Sequence, residues 1–204
     1  MYSTLLIDFD GVIRDWPKEY EALEVEHCLP SGSIMSVAFE RQRLHSVVTG
    51  KVTDEAWRAD IVTELNRLHP GGSAAAAIAA WSESAGSLNA EVLAVVAEAR
   101  TRAQVVLITN GTNRLSRDLS RLGLSKTFDK IINSCEVGFA KPDAAIFRYA
   151  LAAAGSEPHS TLFVDDSKSH IAGAISFGIT SHHYRGVAGL AQFLAQHGLG
   201  QNAA

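Results

Sequence analysis

Asp8 and Asp10 stand two residues apart, directly after the apolar run at residues 4–7. Because residues two apart on a strand point to the same side, both carboxylates could converge beyond the end of a strand. Two like charges so close together are costly unless a cation or a shared proton relieves them, and Gly11 permits a backbone turn there. The pair therefore indicates proton or cation chemistry, with an ordinary surface pair as the weaker alternative.

Two further groups of residues could bind a phosphate. Thr109 and Asn110 precede Gly111, and a threonine hydroxyl together with backbone amides can donate hydrogen bonds to phosphate oxygens. Lys141 precedes Pro142 and carries a compact positive charge that suits phosphate. Taken singly, the first group is more typical of a turn and the lysine of a solvated helix start, so neither group indicates a site by itself.

Asp165 and Asp166 form a second pair of acids, after the apolar run at residues 161–164. Neighbouring carboxylates in that position suit a hard, oxygen-ligated cation such as magnesium. An acid there could equally cap the helix predicted to begin near Ser169. The combination is more specific than any one group, because two carboxylate pairs, a hydroxyl and a lysine are a matched set for phosphoryl transfer assisted by a cation.

These groups accompany short apolar or β-branched segments that are typical of strands buried on both faces. Between the later segments, apolar residues recur at helical spacing, and alternating strands and helices indicate a parallel sheet covered on both faces. The carboxyl ends of such strands border the crevice in which these sheets bind ligands. The predicted strands are residues 4–7, 104–108, 130–133 and 161–164, with a weaker candidate at 180–184, and the predicted helices are residues 90–100, 114–122, 143–154 and 170–178.

Residues from about Pro17 to Ser87 break this alternation, because they look helical throughout and contain no good strand. Thr53 can cap a helix whose first turn carries Asp54 and Glu55. The stretch is therefore predicted to be a helical insertion between the first strand and the rest of the sheet.

The four motifs, in their order and spacing, resemble those of the haloacid dehalogenase-like hydrolases that carry a helical cap after the first strand. The resemblance covers the whole chain, and residues 50–57 are similar to a stretch common in the small-cap branch of that family. It implies an α/β fold with a Rossmann-like parallel sheet in strand order 3-2-1-4-5, a core formed by residues 1–14 and 89–204, and an α-helical cap at residues 15–88. The matching segments are Asp8-Phe9-Asp10-Gly11-Val12, Thr109-Asn110-Gly111, Lys141-Pro142 and Asp165-Asp166.

The resemblance also implies a role for each matching residue. Asp8 would be the nucleophile that becomes an aspartyl phosphate, and Asp10 would protonate the leaving oxygen and then activate water. Thr109 and Lys141 would hold the phosphoryl group, with Asn110 assisting through its backbone or its side chain. The dehalogenases that name the family lack an acid two residues after the nucleophile, so Asp10 argues against dehalogenation.

A magnesium ion, Mg2+, is the cofactor that the resemblance implies. It would be bound by the carboxylates of Asp8 and Asp166 and by the backbone carbonyl of Asp10, while Asp165 would orient these ligands. His170 departs from the family pattern, which often has Asn or Asp four residues after the second acid of the pair. A histidine there could act as a hydrogen-bond partner, weaken the affinity for metal, or simply lie on the helix surface.

The leading interpretation is a phosphomonoesterase that acts on a small phosphorylated metabolite. One alternative is a phosphomutase on a sugar phosphate, for which Arg41, Arg43 and Lys51 are candidates to hold a second phosphate. Another is a non-catalytic binding module of the same fold, which the complete acidic set disfavours. The sequence does not identify the substrate, because the loops of the cap would select it.

The composition of the chain narrows its partners and surroundings. Its 204 residues carry a net charge of -4, which gives no electrostatic reason to expect nucleic acid or an anionic membrane as a partner. Cys28 and Cys135 form neither a metal-ligand spacing nor a disulfide framework, so a reducing, cytoplasmic location is expected. No segment has the pattern of a signal peptide or of a transmembrane helix, and the sequence leaves the oligomeric state open.

Overall fold

The computed structural model describes residues 1–16 and 20–201. Residues 17–19, with which the predicted helical insertion begins, and residues 202–204 lie outside the described part of the chain. Within the described ranges, the strands are β1 (Thr4–Ile7), β2 (Arg14–Asp15), β3 (Ser87–Leu88), β4 (Gln104–Thr109), β5 (Lys130–Asn133), β6 (Thr161–Asp165) and β7 (Thr180–His183).

The α-helices lie between and after these strands. No helix in the described part of the chain combines the length and the apolar character that a membrane span requires. The helices are α1 (Tyr20–Glu26), α2 (Ser33–Ala38), α3 (Arg41–Val48), α4 (Asp54–Leu68), α5 (Ala74–Glu83), α6 (Ala90–Arg100), α7 (Leu115–Arg121), α8 (Ser134–Val137), α9 (Ala144–Ala154), α10 (Lys168–Ser176) and α11 (Val187–Gln196).

A parallel sheet lies at the centre of the fold, in the order β5-β4-β1-β6-β7. Its register places Ile7 opposite Leu107 on one side and Val164 on the other. Every residue of β1 and β6 is buried, as continuous apolar strands covered on both faces require. The predicted α/β class with a parallel sheet is confirmed. If the five strands of this sheet are numbered 1 to 5 along the chain, their order in the sheet is 3-2-1-4-5, as predicted. The β labels differ from these numbers because the short strands β2 and β3, which belong to another sheet, are also counted.

Hydrophobic clusters cover both faces of the sheet, because successive side chains of a strand point to opposite faces. Leu5 and Ile7 pack with α6 and α11 on one face, whereas Leu6 packs with α9 and α10 on the other. In the second cluster, Phe147 and Phe163 meet edge to face with ring centroids 5.4 Å apart. Burying one such side chain contributes about 1.5–3 kcal/mol, so the two clusters hold the strand ends in place.

The helices α1–α5 occupy the predicted helical insertion, and a third hydrophobic cluster holds them together. Within it, the rings of Trp57 and Trp81 lie 5.6 Å apart. Thr53 caps α4 as predicted, because its hydroxyl accepts a hydrogen bond from the third residue of the helix. The buried carboxylate of Glu24 in α1 accepts a 2.7 Å hydrogen bond from the amide of Ile34 at the start of α2. We refer to residues 20–84 as the insert.

The expectation that residues 17–87 contain no strand is wrong at Ser87. The strand β3, which begins there, pairs antiparallel with β2, so a two-stranded ribbon joins the two linkers between the sheet and the insert. Each strand has two residues, too few for the alternation that identifies strands in a sequence. The helices α8 and α11 were also not predicted.

Candidate active site

Lys141 lies between two aspartates at the carboxyl edge of the sheet. Its Nζ is 2.8 Å from Oδ1 of Asp8, which follows β1, and 2.7 Å from Oδ2 of Asp165, which ends β6. The same ammonium donates a 2.9 Å hydrogen bond to the carbonyl oxygen of Ile108 in β4. Three neighbouring strands therefore converge on one fully buried cation, where the carboxyl ends of parallel strands form a ligand crevice.

Burial couples these three charges, because a low-dielectric interior disfavours an isolated charge. Burial raises the pKa of Asp8 to about 8, with Lys141 opposing the rise and Asp165 adding to it. Burial would also raise the pKa of Asp165, but the hydrogen bond from His170 and the charge of Lys141 lower it to about 2. For Lys141, the two carboxylates outweigh the effect of burial, and the pKa is raised. Lys141 and Asp165 thus form the firmly charged pair, and Asp8 is the group whose charge responds to its neighbours.

The side chain of Asn110 holds the backbone of Lys141 in place. Its Oδ1 accepts a 2.8 Å hydrogen bond from the Lys141 amide, and its Nδ2 donates a 2.9 Å hydrogen bond to the Lys141 carbonyl oxygen. This side chain is therefore committed to positioning the lysine, which leaves the backbone of Asn110 for a ligand. Thr109, the last residue of β4, is buried directly before it.

Asp10 is turned toward two residues that the sequence analysis does not place in the site. Its Oδ1 accepts hydrogen bonds from Arg14 Nε at 2.6 Å and from Trp16 Nε1 at 2.7 Å. Its Oδ2 accepts a hydrogen bond from Arg14 Nη2 at 3.0 Å. An arginine four residues after an acid is a pairing signal on a helix, but residues 8–14 are not helical. A turn closed by the 2.9 Å bond from the Gly11 amide to the Arg14 carbonyl oxygen brings the pair together.

Asp165 and Asp166 are adjacent in sequence but have different surroundings. Asp165 is fully buried, and besides the bond from Lys141 its carboxylate accepts one from the Ser167 amide at 2.8 Å and contacts His170 Nδ1 at 3.0 Å. Asp166 is exposed, and its carboxylate lies against Gly11, where a Cβ would overlap it. Gly11 also has a φ of 80°, which glycine adopts without steric cost. Although the residue as a whole is exposed, its carboxylate is partly desolvated, and this effect and then the charge of Asp165 raise the pKa of Asp166. A cation beside the carboxylate would reverse the rise.

The donor atoms at this edge fit a magnesium ion. Asp8, Asp165 and His170 offer ligand atoms within 4.8 Å of one another, but the Asp165 carboxylate is already engaged by an ammonium, an amide and an imidazole. The Asp166 carboxylate lies next to the turn at Gly11. Carboxylate oxygens are ligands that magnesium prefers, and Asp8 and Asp166 both carry them at the strand ends.

A groove of about 370 Å³ lies between the insert and the loop that carries Lys141. Lys51 supplies a positive charge to its wall from the insert, and Phe139, 45% exposed, supplies an apolar surface from the other side. The groove is therefore mixed in character, with room for a small polar or ring-bearing group beside the buried charges. Its lining residues are His45, Thr49, Lys51, Gly138, Phe139, Ala140, Lys141, Pro142 and Asp143.

The other two basic residues considered for a second phosphate lie elsewhere. Arg43 forms an ion pair with Asp60 at 2.5 Å and donates a hydrogen bond to the carbonyl oxygen of Val37. Arg41 lines a separate surface groove with His45. Of the three candidates, Lys51 alone lines the groove beside Lys141.

The start of α4 fastens the insert to the loop that follows β4. The buried Asp54 accepts a 3.0 Å hydrogen bond from the hydroxyl of Thr112, and its amide donates a 2.7 Å bond to Oδ1 of Asn113. The amide group of Asn113 in turn donates to Glu55 at 3.3 Å. The insert is thus attached directly beside the residues Thr109 and Asn110, so its position and the geometry of the site are linked.

Fold and site together define the class of protein. It is an α/β protein in which aspartates from two strand ends and a buried lysine meet at the carboxyl edge of a parallel sheet. The chain belongs to the haloacid dehalogenase-like hydrolase family, whose model matches residues 2–178.

Curated relatives of the chain include phosphatases. Over 100 residues it is 38% identical to a pyrimidine 5'-nucleotidase of Escherichia coli, which covers 45% of this chain and 44% of that protein. Over 79 residues it is 42% identical to a phosphoserine phosphatase of Thermus thermophilus, which covers 38% of this chain and 32% of that protein. The matches span less than half the length of either relative.

Solved structures share the fold over most of the chain. A haloacid dehalogenase-family enzyme from Bacteroides thetaiotaomicron, in complex with magnesium and inorganic phosphate, has a TM-score of 0.67 and 20% identity, covering 91% of this chain and 95% of that chain. An L-2-haloacid dehalogenase from Xanthobacter autotrophicus, with chloropropionic acid covalently bound, has a TM-score of 0.65 and 18% identity, covering 98% of this chain and 85% of that chain. These likenesses extend to enzymes of more than one chemistry.

Proposed function

We propose that this chain is a magnesium-dependent phosphomonoesterase that acts on a small phosphorylated metabolite with Asp8 as its nucleophile. The observation that carries the proposal is the buried Asp8 carboxylate, held 2.8 Å from the Lys141 ammonium at the end of β1, with a second acid two residues further on. An alkoxide leaving group needs a proton and a halide does not. Asp10 therefore supports a phosphate ester over a haloacid as substrate.

The first chemical step transfers the phosphoryl group to Asp8. A carboxylate oxygen of Asp8 attacks phosphorus while the bond from phosphorus to the leaving oxygen breaks. Asp10 gives a proton to that oxygen, so the product leaves as a neutral alcohol. In the second step water attacks the phosphorus of the aspartyl phosphate while the bond from phosphorus to the Asp8 oxygen breaks, and Asp10 accepts a proton from the water. This releases inorganic phosphate and restores the free Asp8 carboxylate.

The phosphoryl oxygens are held by donors on the same edge of the sheet. The Lys141 ammonium already lies beside Asp8 and can shift one of its donors to a phosphoryl oxygen, because it has three. The hydroxyl of Thr109 and the backbone amide of Asn110 are the proposed neutral donors. The Asn110 side chain acts indirectly, through the two hydrogen bonds that fix the backbone of Lys141.

Magnesium would be held by the carboxylates of Asp8 and Asp166 and by the backbone carbonyl of Asp10. When bound, it neutralises negative charge on the phosphoryl group and on the two carboxylates. Asp165 is a supporting residue, since its carboxylate pairs with Lys141 and contacts His170. His170 keeps Asp165 in place through that contact, which makes it a hydrogen-bond partner of the site and not a surface residue.

Residues 15–88 are proposed to act as a cap that excludes water and selects the leaving group. The groove between the insert and the Lys141 loop is the proposed position of that group, with Lys51 and Phe139 facing it. The free thiols Cys28 and Cys135 support the reducing cytoplasm as the location of the enzyme.

The test is a panel of small phosphate esters assayed for release of inorganic phosphate, with magnesium and with a chelator. We expect turnover only with magnesium and its loss in Asp8→Asn. Asp60→Asn, which changes an exposed aspartate of the insert, is the matched control and should retain activity. Unchanged turnover in Asp8→Asn would refute the nucleophile assignment, and turnover that survives the chelator would refute the role of the metal.

A further inference from the structure

Three charged side chains behind Asp10 are buried, although the proposed chemistry does not use them. Arg14, Asp118 and Arg114 are only 5%, 3% and 8% exposed. Removing charges from water costs several kcal/mol per ion, and an apolar set of similar volume is often at least as stable. Buried charges are therefore weak evidence for a role in stability alone, which directs attention to what these three hold.

The three side chains form a continuous chain of bonds that starts at Asp10. Arg14 contacts both oxygens of Asp10 and donates from Nη1 to Oδ2 of Asp118 at 3.1 Å. Arg114 donates from Nε to the other oxygen of Asp118 at 2.9 Å. Arg114 Nη2 then donates to the carbonyl oxygen of Ser84 at 2.7 Å. This series of hydrogen bonds connects Asp10, the proposed proton donor, through Asp118 in α7 to the end of the insert at Ser84.

The Arg14 guanidinium has little freedom to move. It lies over the ring of Phe9 at 4.3 Å and over the ring of Trp16 at 4.2 Å, and the planar fork of arginine matches a carboxylate in one orientation. Gly86, in the second linker of the insert, passes so close that a Cβ there would lie 2.8 Å from Cγ of Arg14. Arg14 is thus fixed between two rings, two carboxylates and the backbone of a linker.

We propose that Arg14 is a positioning residue that sets the orientation of the Asp10 carboxylate, and that Asp118 and Arg114 tie Arg14 to the end of the insert at Ser84. The inference rests on the proposed function, because it takes Asp10 as the proton donor to the leaving oxygen. It adds the specific side chains that align this donor, and it connects that alignment to the end of the insert.

The consequence appears in the dependence of rate on the leaving group. A poor leaving group such as phenolate needs the proton from Asp10, whereas dinitrophenolate leaves readily without it. Loss of alignment should therefore slow the hydrolysis of phenyl phosphate much more than that of dinitrophenyl phosphate. The two esters have similar shapes, so weakened binding or a smaller fraction of folded enzyme lowers both rates together and leaves their ratio unchanged.

The experiment measures kcat/KM for both esters in the wild type, Arg14→Lys, Asp118→Asn and Arg114→Lys. Arg14→Lys keeps the charge but loses the planar fork. We expect it to lower the ratio of phenyl to dinitrophenyl phosphate hydrolysis by about tenfold or more, since general acids contribute about 100- to 10,000-fold. Asp118→Asn and Arg114→Lys should shift the ratio in the same direction by less. Arg100→Lys, in the Arg100–Asp129 ion pair remote from Asp10, is the control and should leave it unchanged.

Each result decides a definite part of the inference. An unchanged ratio in Arg14→Lys would overturn the positioning role, even if both rates fell. A lowered ratio in that variant with unchanged ratios in Asp118→Asn and Arg114→Lys would overturn the roles of Asp118 and Arg114 and the connection to the end of the insert. If the wild type hydrolysed neither ester with magnesium, the proposed function would be overturned together with this inference. This outcome is distinct from the others, because it is seen in the wild type without any variant.

Discussion

Replacing Lys141 by methionine is the most direct test of the electrostatics of the site. Methionine keeps much of the length of the side chain but removes the ammonium that lies 2.8 Å from Asp8 and 2.7 Å from Asp165. At an effective dielectric constant of about 20, the contact with the ionised Asp165 is an attraction of about 6 kcal/mol before the cost of removing the ammonium from water. Asp8, whose pKa is raised to about 8, is mostly protonated near neutral pH and adds little to this attraction. After that cost, the measured loss on breaking a buried ion pair is about 3–5 kcal/mol.

We therefore expect Lys141→Met to lower the free energy of unfolding by about 3–5 kcal/mol near neutral pH, measured by urea unfolding in the presence of a chelator. The loss should shrink as the pH falls. Without the lysine, the raised pKa of Asp8 rises further and the pKa of Asp165 rises from its lowered value. The folded variant therefore takes up protons that relieve the repulsion, and stability gained in this way is present at low pH and lost as the pH rises.

Lys130→Met is the matched control, because Lys130 is exposed at the start of β5, and such surface changes usually alter stability by less than about 0.5 kcal/mol. A loss in Lys141→Met no larger than in this control would refute the view that the lysine neutralises the buried Asp165 carboxylate. An equal loss at about pH 5 and at neutral pH would refute the electrostatic origin of the effect, because a loss of packing does not depend on protons.

Two further predictions concern Asp8 and Gly11. In the wild type with chelator, the contribution of Asp8 to the free energy of unfolding should fall as the pH rises from 3.8 to about 8, because folding raises its pKa from the first value to the second. Asp8→Asn should abolish that decline when unfolding by urea is measured across this pH range. A decline of the same size in the variant would contradict the assignment. Gly11→Ala should raise the magnesium concentration for half-maximal phosphatase activity by about tenfold, because its Cβ would overlap the Asp166 carboxylate. Gly123→Ala imposes the same backbone strain in open space and should not change that concentration; equal shifts in the two variants would exclude Asp166 as the cause.

Much of the fold could be predicted from the sequence, because buried strands and helices require recognisable local patterns of apolar residues. The segments at residues 4–7 and 130–133 are strands with the predicted bounds, and the segment at residues 161–164 extends by one residue to Asp165. Strands buried on both faces must be continuously apolar, and helices that cover them must repeat apolar residues at helical spacing. The β2–β3 ribbon shows no such pattern, because strands of two residues are too short to show the alternation of apolar and polar residues.

The sequence by itself determined which chemical groups stand at the strand ends, and hence the carboxylates, hydroxyl and lysine of the candidate site. Only the tertiary structure decided which partner each of these groups contacts. Asp165 is buried against Lys141, Asp166 lies at the turn at Gly11, and Arg14 is the partner of Asp10. The physical reason is that a residue's type and its neighbours in the chain set its local conformation. Its charge state and its hydrogen-bond partners depend on residues that are distant in the chain and meet it only after folding.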